Sequence, residues 1–128
     1  MTVQAPEAIN YSSGRRILTL SFPGEDPVEL SAELLRVLSP SAEVQGHGPG
    51  QEVLQTGKKE VGITDIQPIG HYAVQLSFDD GHSSGLYTWT YLAQLGEDKD
   101  RLWADYLAKL AQAGESRDLD TNLSLIHI

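Results

Sequence analysis

From Arg15 to Phe22 apolar and polar positions alternate, with Leu18, Leu20 and Phe22 on one face and Ile17, Thr19 and Ser21 on the other. A period of two predicts a strand. Pro23-Gly24-Glu25-Asp26-Pro27 is a turn, and Val28-Glu29-Leu30 is the returning strand. Ser31 is placed to cap a short helix over Ala32 to Leu38, with Leu34, Leu35 and Leu38 as its apolar face. Pro40 ends it, because proline disfavours helical geometry in the residue before it. Ser39 to Gly57 lacks periodicity and is punctuated by Gly46, Gly48, Pro49 and Gly50. It reads as a long loop, of the kind that is functional or mobile in a small domain.

The second half repeats the hairpin theme. Val61 to Ile66 is β-branched and reads as a strand, turned by Gln67-Pro68-Ile69-Gly70. Tyr72, Val74, Leu76 and Phe78 then share one strand face, Asp80-Gly81 supplies a tight turn, and Leu86 to Trp89 returns. From Thr90 the period becomes helical. Tyr91, Leu92 and Leu95 form a short face and Gly96 interrupts it. Asp98 or Asp100 then caps a longer helix carrying Leu102, Trp103, Tyr106, Leu107 and Leu110 and closed by Gly114.

These elements predict an α+β fold. A small antiparallel or mixed sheet is built from hairpins, with a short N-terminal helix and a C-terminal helical segment packed on it. Residues 1–14 are expected to be disordered, 15–114 to form the domain, and 115–128 to be a disordered tail. The last six residues, LSLIHI, fit nothing before them. One back-translation resembles the transposon-end adapter of sequencing libraries; the other reading is a short C-terminal strand. Leu123 to Ile128, with His127, therefore stand apart from the functional reasoning.

Charge and composition narrow the function. The formal charge is −9 and the pI near 4.7, which disfavours a phosphate backbone as partner. The absence of cysteine rules out disulfides, thiolate metal sites and a cysteine nucleophile within this chain. No apolar run reaches the roughly 20 residues needed to span a bilayer, and no secretory h-region follows the N-terminus. The expected location is the cytoplasm, with neither nucleic acid nor membrane as partner.

The chemistry on offer is sparse. His47, His71 and His82 lie in separate segments, none at the spacing that sets two imidazoles on one helix face. Asp79, Asp80 and His82 share a hairpin tip, although adjacent strand residues point to opposite faces. No serine sits in a G-x-S-x-G elbow, and GHGPG lacks the Lys-Ser/Thr pair of a phosphate loop. No histidine begins the His-x-Asp signature of an iron oxygenase. Arg15, Arg16 and Arg36 are expected in surface or inter-element ion pairs, and Trp89 and Trp103 in the core or a groove.

Four blocks carry a resemblance: RRILTLSF, LSAELLRVLSPSAEVQGHG, VGITDIQPIGHYAVQLSFDDGH and SGLYTWTYLAQL. Together they resemble the gamma-butyrobetaine hydroxylase-like N-terminal domain (domain of unknown function 971), in its short bacterial stand-alone form. The resemblance implies a zinc module whose ligand positions fall here on Ser39, Ser41, Val44 and His82. Only the histidine keeps a ligand, with His47 as a further candidate. Two functions stay open. One is a non-catalytic interaction or accessory domain without its structural zinc, meeting a protein partner through Arg36, His47, Asp79, Asp80, His82, Tyr87 and Trp89. The other is an accessory protein of Fe–S or cofactor assembly that holds iron or zinc through His82. No resident cofactor is expected under the first reading; zinc or iron enters by family similarity. Beside these two stands a third reading, an unrecognised small-molecule enzyme, the weakest because both the oxygenase signature and a nucleophile motif are missing.

Overall fold

The computed structural model describes residues 4–46 and 50–118. Along them run β1 (Ala8–Ser12), β2 (Ile17–Ser21), β3 (Val28–Ser31), α1 (Ala32–Val37), α2 (Ala42–Gln45), β4 (Ile63–Ile69), β5 (Ala73–Phe78), β6 (Leu86–Thr88) and α3 (Trp89–Ala113). The hairpins form two three-stranded sheets, β1-β2-β3 and β4-β5-β6, with every pairing antiparallel. Each sheet has one apolar face, so neither is stable alone and the two share a core. Leu18, Leu20, Phe22 and Leu30 come from the first sheet, and Ile63, Val74, Leu76, Phe78 and Tyr87 from the second. Leu34 and Leu35 of α1 and Trp89, Leu92 and Leu95 of α3 complete it. Each large apolar side chain buried there contributes about 1.5–3 kcal/mol.

Helix α1 has six residues, too few to be stable by hydrogen bonding alone. Its position is set by packing: all six are buried, Glu33 and Arg36 included. Ser31 Oγ accepts the Leu34 N–H at 3.0 Å and caps it as expected. A second, smaller cluster joins Val37 of α1 to Tyr106 and Leu110 near the end of α3.

Several expectations change. The N-terminus is ordered from Ala8 as β1, because Ile9 and Tyr11 pack on the core and Tyr11 Oη accepts the Ile63 N–H at 3.0 Å. The supposed loop after Ser39 contains α2, whose cap is Ser41 accepting from the Glu43 N–H. Strand β4 runs through Gln67-Pro68-Ile69, and the turn falls at Gly70, where φ is +56°. Helix α3 starts at Trp89 under a Thr88 cap and passes unbroken through Gly96. Asp98 caps nothing and instead pairs with Arg101. Leu107, assigned to the apolar stripe, is exposed, whereas Gly114 closes the helix in the left-handed conformation as expected.

The tail also differs. Ser116 and Arg117 accept backbone hydrogen bonds from Gly57 and Lys59, and the Arg117 guanidinium grips Glu33 with two bonds of 2.7 and 2.8 Å. Order therefore extends at least to Asp118. His47 and Leu123–Ile128 lie outside the described residues.

Candidate functional site

Two connections meet at one end of the molecule. One leaves α1 through Ser39 and Ser41 into α2; the other is the tip joining β5 to β6. The tip turns where the Gly81 N–H reaches the Phe78 carbonyl at 3.1 Å, and Gly81 holds φ +92°, a conformation an L side chain resists. Asp79 and Asp80, both in the turn that follows β5, then diverge. Asp79 accepts the Gly62 N–H at 3.1 Å, while Asp80 turns toward α1.

Asp80 Oδ2 is the hub of the charged half. It lies 2.8 Å from Arg36 Nε and 2.6 Å from Lys58 Nζ, and its Oδ1 accepts the His82 N–H at 3.1 Å. Burial pushes the carboxyl pKa up, but Lys58, the His82 amide and Arg36 outweigh it and hold the group at about 2. Arg36, expected in a surface or inter-element ion pair, makes the inter-element one with Asp80; it is buried, and its Nη1 finds no acceptor among the described residues.

His82 centres the other half. Its Nε2 is 2.9 Å from Ser39 Oγ and its Nδ1 is 3.0 Å from Glu43 Oε1. A carboxylate can only accept, so Nδ1 carries the proton and Nε2 takes the Ser39 hydroxyl. Ser39 Oγ also accepts the Ser41 N–H at 3.3 Å. Ser84 donates to the same Glu43 oxygen at 2.9 Å and lies 3.0 Å from Ser41 Oγ. Burial and then Arg36 lower the imidazole pKa, against Glu43 and Asp80, so the neutral ring is favoured.

Serine, histidine and glutamate in this order reproduce the wiring of a hydrolytic triad. Access decides against that chemistry. Ser39 is 0% exposed, and Gly85 packs over its hydroxyl so closely that a Cβ there would collide with Oγ. A groove of about 310 Å³ opens beside α2, lined by Val37, Leu38, Val44, Val53, Leu54 and Tyr106 among others, but neither Ser39 nor His82 lines it. The hydroxyl has no space in which to meet a carbonyl.

The residues singled out in the sequence separate accordingly. Arg36, Asp80, His82, Ser39 and Ser41 come together, with the buried Tyr87 hydroxyl donating to the Leu35 carbonyl at 2.6 Å beneath them. Trp89 is also buried, its indole N–H on the His71 carbonyl at 2.8 Å. Arg36, His82 and Tyr87 therefore support the tip from inside, and Trp89 is buried at the other end of β5, so none of the four offers a face to a partner; Asp79 and Asp80 remain at the surface. Val44 turns to the groove. Glu43, Ser84 and Lys58 were not anticipated. The Ser41-x-Glu43 capping pattern was the one local signal for the first of them.

The family model for gamma-butyrobetaine hydroxylase-like, N-terminal, matches residues 9–93, well over half of the chain. The chain belongs to this family. An NMR solution structure 54% identical to it superposes with a TM-score of 0.81, covering 98% of this chain and 99% of its own. A second NMR structure is 46% identical, with a TM-score of 0.78 over 91% and 86%. A crystal structure of a DUF971 protein of unknown function from Acidithiobacillus ferrooxidans is 35% identical, with a TM-score of 0.60 over 71% and 91%. No curated protein matches. No helix among the described residues is long and apolar enough to cross a membrane.

The zinc that the resemblance implies can be tested against these donors. Serine hydroxyls stay protonated at neutral pH and valine has no donor atom, so Ser39, Ser41 and Val44 do not fit the ion. His82 meets one of those positions, Ser39, through Nε2, and its Nδ1 is engaged by Glu43. Glu43 and Ser39 lie on opposite nitrogens and cannot converge on one ion with the imidazole.

Proposed function

We propose that this chain is a non-catalytic accessory domain that docks a protein partner through the outer rim of the β5–β6 tip. The observation that carries the reading is the sealed Ser39 hydroxyl. The triad-like cluster is closed to substrate, while at the exposed rim Glu43 and Ser84 are tied into the network around it, Asp79 to the Gly62 N–H and the Ser83 carbonyl to Gln75. A rigid polar rim lowers the entropy cost of association. Its carboxylates suit a partner that brings basic or hydrogen-bond-donating groups. The alternative reading, iron or zinc held through His82, would have to displace one ring partner, Ser39 from Nε2 or Glu43 from Nδ1, to free a ligand nitrogen.

The test is a photo-crosslinking residue at Ser83, in cytoplasm of the source cell. The expected result is one reproducible partner at Ser83, lost on Asp79→Arg and absent from a probe at Lys109. Capture that ignores Asp79→Arg, or labelling by a fluorophosphonate that vanishes in Ser39→Ala, would overturn the proposal.

A further inference from the structure

We infer that Ser39, Glu43, His82 and Ser84 form a metal-free clip, fastening the β5–β6 tip to the α1–α2 connection where the family resemblance places an ion. The donors and acceptors run in one unbroken order. The Ser41 amide donates to Ser39, the Ser39 hydroxyl to His82 Nε2, His82 Nδ1 to Glu43, and the Ser84 hydroxyl to the same Glu43 oxygen. The clip joins two segments lying 39 to 43 positions apart in sequence, as an ion shared between them would. It has an inner half and an outer half. Ser39 and His82 are sealed from water, and the outer carboxylate, 69% exposed, is anchored by Ser84. Hydrogen bonds to a charged acceptor are stronger than neutral ones, which suits Glu43 to the outer position. The inference explains what replaced the missing ligands and does not depend on any partner being found.

The clip makes a claim that packing alone does not. Glu43 and Ser84 touch little besides this network, so their truncation leaves the core intact and removes only the polar links. The experiment uses the full chain purified without a histidine tag, with metal measured by mass spectrometry and melting followed with and without EDTA. Metal well below one equivalent and a melting temperature indifferent to EDTA are expected. Glu43→Ala should lower melting by about 4 °C, Ser84→Ala by less, and Glu43→Gln, which still accepts, should keep most of the wild-type value. One equivalent of zinc or iron whose removal by EDTA lowers the melting temperature would overturn the inference. So would unchanged melting in both Glu43→Ala and Ser84→Ala. These two surface variants keep the test decisive even if His82→Ala fails to fold.

Discussion

Gly85 covers the Ser39 hydroxyl, in contact so close that the position tolerates no side chain. A Cβ there would also lie 3.2 Å from Pro40 Cδ and 3.2 Å from Tyr87 Cε1, so three neighbours would have to move together. Overpacking of this kind costs about 1–3 kcal/mol. Gly85→Ala should therefore lower the free energy of unfolding in urea by that amount. Wild-type stability for the variant would mean that the lid over Ser39 is loose and that the hydroxyl can be reached.

Asp80 ties Arg36 and Lys58 to the tip, and the buried Arg36 has few other acceptors. Asp80→Ala strands a desolvated guanidinium and should cost about 3 kcal/mol, whereas Arg36→Met with Asp80→Asn should cost less than the two single changes added together. Denaturant melts of Arg36→Met, Asp80→Asn and their double variant form the cycle. Additive losses would show that the pair is not coupled.

The same carboxylate sets the acid limb of stability. Its pKa is about 2 in the fold against an ordinary 3.8, so its contribution is full above 3.8 and is lost as pH falls from there toward 2. His82 acts earlier and in the same direction. Its folded pKa lies below the ordinary 6.5, so the unfolded chain binds the proton first and stability falls as pH drops below 6.5. Melting temperatures between pH 8 and 5 should decline, and His82→Gln should flatten that decline. A profile that stays steep in the variant would assign it to other groups.

Much of the fold was legible because its strands alternate. Leu18, Leu20, Phe22, Val74, Leu76 and Phe78 are buried as their period requires. What could not be read depended on distant partners. Ile9 and Tyr11 look like part of a polar leader until β2 is beside them. Gly96 reads as a break, since its packing against Val28 is invisible in one dimension. The site divides in the same way. His82 stood out as an imidazole at a hairpin tip, but its two partners arrive from positions 39 and 43, and nothing local announces that pairing. The long loop hid α2 because four residues give too little period to detect.

Arg117 ties the segment after α3 to α1. Its guanidinium lies 4.9 Å over the Trp103 ring and makes both bonds to Glu33, a carboxylate on the fully buried α1. The pairing raises the Arg117 pKa and keeps the charge in place. Arg117→Ala leaves Glu33 buried without its cation and should cost about 2–3 kcal/mol. Glu33→Gln should rescue part of that loss. Urea unfolding of the single and double variants checks it, and an Arg117→Ala protein as stable as the wild type would return this segment to a dispensable tail.

Gly96 sits in the middle of α3, where alanine would ordinarily be favoured by about 1 kcal/mol through helix propensity. Here the sign should reverse. A Cβ at 96 would stand 2.5 Å from Val28 Cγ1, and valine has a stiff side chain with no easy rotamer of escape. Overpacking at about 1–3 kcal/mol exceeds the propensity gain, so Gly96→Ala should destabilise the domain. Removing the obstacle changes the balance: in a Val28→Ala background the same substitution should become neutral or stabilising. The comparison of Gly96→Ala in the two backgrounds isolates the contact between β3 and α3. If the substitution stabilises the wild-type background, the two elements pack less closely than this contact requires, and the glycine is tolerated rather than needed.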